Sequence, residues 1–239
     1  MLVIAHRGAS FEAPENTLVA FERAIDAHAD GIEFDVMAVD GELFVFHDRY
    51  LRRLAAQPGR FQDLTADQVR ALRIFSQHPI PTLMEALEFI QGRCMVNIEL
   101  KSQVDEAALI QHLDHAEKSL GFRPEQLLVS AFNHHWLRAL KQHRPHTRIG
   151  ALSASCLLEY ARFAEQLSAY SLHIDIDFVT PELVADAHQR DLQVYVYTVD
   201  EPEDILLLQQ WQVDGIFTNH PRHTRNILDG LTRASPFTL

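Results

Sequence analysis

The chain has 239 residues, 47% of them apolar and 23% charged, with 21 Lys and Arg against 33 Asp and Glu for a formal net charge of −12. That apolar content excludes global disorder and can bury a full core without disulfides. The acidic balance, with no Lys/Arg run, argues against nucleic acid or an anionic membrane as partner and leaves room for a multivalent cation.

Leu2–His6 is a short apolar run, followed by Thr17–Ala29, where Leu18, Phe21, Ile25 and His28 fall near the helical period and Asn16 or Thr17 can cap the N-terminus. Gly31–Val36 is the second run. Asp40-Gly41 then stands between extended segments, which predicts a hairpin into an antiparallel strand, Leu43–His47. Residues 49–81 read as a long connection with a short helix near Thr65–Leu72, and another helix runs from Thr82 to Gln91. The remaining strand-like runs are Met95–Leu100, Leu127–Phe132, Arg148–Ser153, Ser171–Ile176, Val194–Val199 and Gly215–Asn219. Between them lie helical segments at Glu106–Leu120, Asn133–Gln142, Leu157–Gln166, Pro181–Arg190 and Pro202–Gln210, two of them opening on a proline that suits a first turn.

Eight runs in a chain of this length make about 30 residues per unit, the size of a strand-plus-helix repeat in a parallel barrel. Near-continuous apolar strands are what a parallel sheet covered on both faces requires. An open doubly wound sheet would announce itself with a glycine-rich turn after strand one, and no GxGxxG occurs. The expected fold is α/β: a closed (β/α)8 barrel, one domain over residues 1–239, with a small hairpin insertion after strand two. Cys94 and Cys156 are too few for a disulfide framework and read as unreactive thiols. No basic-then-apolar leader and no apolar run of ~18 residues is present, so the expected compartment is the cytoplasm.

The C-terminal strand ends of such a barrel carry its chemistry. Here they bear His6-Arg7-Gly8, Glu33 and Asp35, His47-Asp48, and Glu99 with Lys101. Glu33 and Asp35 are two apart and so point to one side of their strand. Three carboxylates on two strands repel one another unless a cation sits among them, and all-oxygen ligation selects Mg²⁺, Ca²⁺ or Mn²⁺. Two histidines from different loops can act as general acid and general base, while Arg7 and Lys101 add fixed positive charge. Together these are the equipment for phosphate-ester chemistry. Singly, each has a plainer reading: a structural histidine, a solvated strand edge, a surface ion pair. The other histidines, His112, His115, His134, His135, His143, His146, His173, His188 and His223 among them, read as solvated on helices and loops. Of these, His134 is the nearest to the mouth.

The chain also resembles a known family in order along its length. His6-Arg7-Gly8-Ala9 with Pro14-Glu15-Asn16-Thr17, Glu33-Phe34-Asp35, Asp40-Gly41, His47-Asp48, Pro81-Thr82-Leu83, Asn97-Ile98-Glu99-Leu100-Lys101, Ser130-Ala131-Phe132-Asn133-His134 and Asp214-Gly215-Ile216-Phe217-Thr218-Asn219 are similar to the glycerophosphodiester phosphodiesterase family. The resemblance implies a TIM barrel that hydrolyses small-molecule glycerophosphodiesters to glycerol 3-phosphate and an alcohol with one divalent cation. It implies Glu33, Asp35 and Glu99 as metal ligands, and His6 and His47 as the acid/base pair. The sequence does not fix which side each histidine occupies; His6 as acid and His47 as base is the favoured order, and Asp48 could orient His47. Arg7 and Lys101 would contact phosphate. Glu15 would brace Arg7, Asn16 would reach metal or phosphate, and Tyr197 would wall the alcohol side. Arg52-Arg53-Leu54-Ala55-Ala56, Tyr197-Thr198-Val199-Asp200 and Asn219-His220-Pro221 depart from the usual family strings, all where a leaving alcohol could be read. A relative directed at lysophospholipids or sphingolipids would share these residues but need an apolar entrance. A barrel that only binds would have lost a histidine or a carboxylate.

Overall fold

The computed structural model describes residues 1–230. In chain order the elements are β1 (Leu2–His6), α1 (Leu18–Asp26), β2 (Gly31–Val39), β3 (Glu42–Val45), α2 (Arg52–Ala55), α3 (Ala66–Ala71), β4 (Arg73–Ile74), β5 (His78–Pro79) and α4 (Leu83–Ile90). There follow β6 (Met95–Leu100), α5 (Glu106–Ser119), β7 (Leu127–Ala131), α6 (His134–His143), β8 (Arg148–Ser153) and α7 (Arg162–Gln166). The last are β9 (Ser171–Asp175), α8 (Pro181–Gln189), β10 (Gln193–Tyr197), α9 (Pro202–Gln210), β11 (Gly215–Thr218) and α10 (Pro221–Leu228).

Eight of the strands close a parallel barrel in the order β1-β2-β6-β7-β8-β9-β10-β11, with β11 pairing back onto β1. The outward side chains of its strands pack against the helices. Ile32, Phe34 and Val36 of β2 and Val96, Ile98 and Leu100 of β6 join Phe21, Leu87, Leu109 and Leu113 in the main core. The alternate residues, Glu33, Asp35, Asn97 and Glu99 among them, therefore face the barrel interior. Several helices start on side-chain caps that the sequence makes plain: Thr17 accepts from the Ala20 amide, and Thr82 with Glu85 forms a full capping box.

β3 runs antiparallel to β2 across Asp40-Gly41, with Val36 opposite Val45 and Val39 opposite Glu42. The strand stops at Val45, two residues before the expected His47, because Val45 and Phe46 turn to bond Pro81 and Asp35 instead. Residues 46–80 build a second apolar cluster against Met37 and Val39 of β2 and Phe44 of β3. Phe46 stacks on Phe61 at 4.2 Å, and Leu51, Leu54, Val69, Leu72, Ile74 and Ile80 close around them.

The helix expected from Leu157 starts only at Arg162: Tyr160 sits at φ 45°, in the left-handed region that breaks a helix. His173 is a clearer correction. It is not solvated but fully buried inside β9, between outward-facing Leu172 and Ile174. Burial pulls its imidazole down to about 3, so it is neutral, and its Nε2 pairs with the Ser171 hydroxyl at 2.9 Å. The ring has room because Gly150 is its neighbour: a Cβ there would lie 2.4 Å from it. Gly150→Ala is therefore expected to cost ~1–3 kcal/mol, the usual penalty for overpacking a filled core. Urea unfolding with an unchanged midpoint would contradict that packing.

Cys94 is buried and its thiol is pushed up to about 12 by burial, whereas Cys156 is exposed in the loop after β8. Among the described residues, no helix is long and apolar enough to cross a membrane.

Candidate active site

The mouth of the barrel starts with a tight turn. After His6, Arg7 has φ 58° and Gly8 φ 80°. A Cβ on Gly8 would lie 2.7 Å from the Ala20 backbone, so glycine is what lets this loop rest against α1. The turn aims the Arg7 backbone N–H at Glu33, where it donates to Oε2 at 2.8 Å. The Arg7 guanidinium donates from Nη1 to Glu15 Oε1 at 2.7 Å, and its Nε lies 3.3 Å from Asp35 Oδ2.

Strand register assembles the rest. His6 lies beside Glu33, Glu33 beside Asn97, and Asp35 beside Glu99. Glu33, Asp35 and Glu99 offer oxygens that all lie within 4.8 Å of one another. Glu33 and Asp35 are almost fully buried, and Glu33 Oε1 has no hydrogen-bond partner among the described residues. Asn16 is buried too. Its Nδ2 donates to Asp35 Oδ2 at 2.8 Å and its Oδ1 accepts from the Asp35 backbone N–H, so both ends of the amide are occupied by Asp35.

Crowded carboxylates show in their proton affinities. Burial, then Asp35 and Glu99, lift Glu33 well above the usual carboxylate range; burial and Asp35 push Glu99 up to about 7 despite Lys101. Burial also opposes ionisation of Asp35, but Arg7, Lys101 and His47 outweigh it and hold Asp35 below its ordinary value. An unpartnered buried carboxylate oxygen amid three converging carboxylates is a donor set that fits a hard divalent cation. A stability signature follows for metal-free protein. Between the unfolded pKa of a Glu and the raised folded value of about 7, the native state holds more protons than the unfolded one. Stability should then fall as pH rises through that window. Asp35 acts oppositely, but only in acid, below its ordinary value. Thermal midpoints measured from pH 5 to 7.5 in chelator should decline, and added divalent ion should flatten the trend.

Two imidazoles flank this cluster. His6 Nδ1–H donates to Asn219 Oδ1 at 2.8 Å. The amide is held in that sense because Asn219 Nδ2 donates to Asp200 Oδ2 at 2.6 Å, while the Ser10 hydroxyl also donates to Oδ1. Asp200 further accepts from the Thr218 hydroxyl and the Asn219 backbone N–H. His6 therefore carries its proton on Nδ1 and a lone pair on Nε2. Burial, then Arg7, pulls it down to about 4, so it is neutral near pH 7. His47 differs in its partner: its Nδ1–H donates to a carboxylate, Asp48 Oδ1, at 2.8 Å, which leaves Nε2 facing the mouth's chemistry.

Lys101 Nζ donates to Glu99 Oε1 at 2.7 Å and lies 3.7 Å from Asp35 Oδ1. It also sits 5.7 Å over the ring of Phe132, which meets Tyr197 edge-on at 6.1 Å. The Tyr197 hydroxyl donates to the Ser153 carbonyl, so its polar end is spent on the wall. A narrow cavity of about 20 Å³ reaches below the mouth among His6, Glu33, Asn97, Glu99, His173 and Tyr197. His134 stands at the rim, donating from Nε2 to the Leu152 carbonyl and stacked on Phe163. Exposed Phe132, Leu157, Leu158 and Phe178 occupy the loops after β7, β8 and β9.

The nine residues singled out at strand ends and in the first loop, His6, Arg7, Glu15, Asn16, Glu33, Asp35, His47, Glu99 and Lys101, are thus brought to one mouth, with Tyr197 as its wall. Asp200, Asn219 and Arg53 hydrogen-bond into this arrangement, and periodicity and spacing did not single them out. Asn219 lay within a string read for the leaving alcohol, yet it faces His6.

A protein-family model described as the glycerophosphoryl diester phosphodiesterase family matches residues 6–223. A glycerophosphodiester phosphodiesterase from Caldanaerobacter subterraneus subsp. tengcongensis is 38% identical over 237 residues, covering 95% of this chain and 97% of that protein. Among solved structures, a phosphodiesterase from Oleispira antarctica in complex with the product sn-glycerol-3-phosphate is 28% identical with a TM-score of 0.84, covering 96% of this chain and 97% of that one. A glycerophosphodiester phosphodiesterase from Thermotoga maritima is 27% identical with a TM-score of 0.79, covering 95% and 98%.

Proposed function

This chain belongs to the glycerophosphoryl diester phosphodiesterase family and is an enzyme, and from that premise we propose that it hydrolyses glycerophosphodiesters to glycerol 3-phosphate and an alcohol through the residues of its barrel mouth. The observation that carries the reading is the cluster of Glu33, Asp35 and Glu99 with one buried oxygen unpartnered, set between two imidazoles whose Nδ1 atoms are already engaged.

Glu33, Asp35 and Glu99 would hold one divalent cation, Mg²⁺, Ca²⁺ or Mn²⁺. When bound, the ion supplies positive charge against the phosphate as its charge redistributes. Arg7 and Lys101 add cationic charge on the same side, and Asn16 holds Asp35 in place. The hydrogen bonds at the two Nδ1 atoms favour the opposite order of the histidines from the one expected. His6, neutral with its lone pair on Nε2, takes the proton of the attacking hydroxyl, which is water or the glycerol 2-OH. His47, its ring oriented by the Nδ1 hydrogen bond to Asp48, gives a proton from Nε2 to the departing alcohol oxygen. The bond to phosphorus forms on one side as the P–O bond to the alcohol breaks on the other; attack by water gives glycerol 3-phosphate directly, and attack by the 2-OH gives a cyclic phosphate that a water then opens to glycerol 3-phosphate.

Arg7, Lys101 and the carboxylate cluster all address the phosphate, which every substrate shares. The wall of Phe132 and Tyr197 offers no charge to select an alcohol. Glycerophosphocholine, glycerophosphoethanolamine and glycerophosphoglycerol should therefore turn over within about 100-fold of one another. Assays with these three diesters and a 2-deoxyglycerol analogue test the reading. No turnover of any diester would sink it, and good turnover of the analogue would assign the attack to water. The exposed apolar residues after β7, β8 and β9 favour a second reading, in which the leaving alcohol carries an acyl chain. A lysophospholipid assay separates the two.

A further inference from the structure

Residues 46–80 bring His47 to the mouth from outside the barrel repeat, and something must hold that segment in register with the β1 loop. The apolar cluster around Leu51, Leu54 and Phe61 anchors its far side. Near the mouth the connection is Arg53, on the short helix α2. Its Nε and Nη2 donate to Asp48 Oδ2 and Oδ1, both at 2.7 Å. Its Nη1 and Nη2 donate to Glu15 Oε2 at 2.5 Å and Oε1 at 2.8 Å. Glu15 in turn accepts from Arg7, and Asp48 holds His47 Nδ1. An unbroken line of charge-assisted hydrogen bonds therefore runs Arg7–Glu15–Arg53–Asp48–His47.

Glu15, His47 and Asp48 converge closely enough to suggest a second cation site, but the guanidinium of Arg53 fills that position. An ordinary exposed ion pair contributes little. Arg53 departs from that pattern because a planar guanidinium grips two carboxylates bidentately, which fixes direction as well as charge. With Asp48 gripped on both oxygens, its one remaining freedom is to receive the His47 ring.

We propose that Arg53 is a positioning residue for the acid step: it clamps Asp48 against His47 Nδ1 and ties the segment carrying both to Glu15 of the β1 loop, so that His47 Nε2 meets the leaving-group oxygen. The proposal rests on the reading of His47 as general acid. Arg53 touches neither phosphate nor alcohol in this arrangement. Its loss should therefore act on turnover through His47 and leave substrate affinity nearly alone. The fold should survive that loss, because Leu51 and Leu54 are buried and hold α2 from its inner side.

Steady-state kinetics of Arg53→Met and Arg53→Lys, with His47→Ala alongside, test this on two glycerophosphodiesters, one with an alkyl and one with a p-nitrophenyl leaving group. A phenolate departs without a proton, so the acid matters only for the alkyl ester. Arg53→Met should lower kcat on the alkyl ester by ~10- to 100-fold, at the low end of what losing an acid costs. KM and aryl-ester turnover should change less than about 3-fold by the same argument, and Arg53→Lys should recover part of the loss. Equal losses on both esters, or none on either, would overturn the positioning role while His47→Ala keeps its leaving-group dependence. Should His47→Ala itself lose equally on both esters, the acid reading fails first and this proposal with it.

Discussion

Removing divalent cations with a chelator is expected to abolish hydrolysis, and Glu99→Gln is expected to raise the cation concentration needed for half-activity by roughly 10-fold or more. Glu99 is the informative position. Glu33 and Asp35 are buried and also receive hydrogen bonds from Arg7 and Asn16, so replacing either disturbs the loop after β1 as well. Glu99 reaches the cluster from β6 and, among the described residues, its carboxylate is hydrogen-bonded only by Lys101, so the amide keeps its shape and removes one charge. The loss should be met by added cation, with kcat partly restored at saturation. Calorimetric titration of the purified protein reads the same change without turnover. An unchanged titration for Glu99→Gln would remove it from the ligand set.

The second large effect concerns the base. His6→Ala should cost ~10²–10⁴ in turnover on alkyl and aryl esters alike, because deprotonating the nucleophile is needed whatever leaves. His47→Ala should cost as much on the alkyl ester and far less on the aryl one. The pH profile adds an independent check. Burial and Arg7 set His6 at about 4, so its lone pair is available throughout the neutral range. The acidic limb of kcat/KM governed by His6 should fall only as pH drops toward that value, not near 6.5 where an unperturbed histidine would place it. Recovery of His6→Ala on the aryl ester, with no such recovery for His47→Ala, would restore the opposite assignment of acid and base.

The barrel and the metal-binding candidates were legible in the sequence for one reason. Strand alternation puts Glu33, Asp35 and Glu99 on the same side as one another, and charge in an apolar run is expensive enough to stand out. His6 and His47 were legible as histidines next to strand ends. Their roles were not, because a tautomer is set by what Nδ1 touches. The partner of His6 lies 213 residues away, at Asn219. Arg53 was hidden for a similar reason: its string was read only for how it departs from the family, and a guanidinium shared by Glu15 and Asp48 has no local signature. His173 was misread because one polar residue in a run of Leu and Ile passes for noise until Gly150 is seen across from it, leaving the space.

The pairing of β11 with β1 has a consequence for how activity arises during folding. All three carboxylates lie within the first hundred residues, on the paired strands β2 and β6, and His47 lies between them in the chain, just after β3. The His6 ring, however, is oriented by Asn219 and Asp200, which lie just after the last two strands of the chain. A contact of such separation is entropically late to form. A growing or partly folded chain can thus gather its carboxylates early yet lack a correctly protonated His6 until the seam shuts. Catalytic competence would then report closure of the whole ring rather than formation of any part of it. In a refolding time course, regain of hydrolysis should track the slowest burial signal and lag behind recovery of helix.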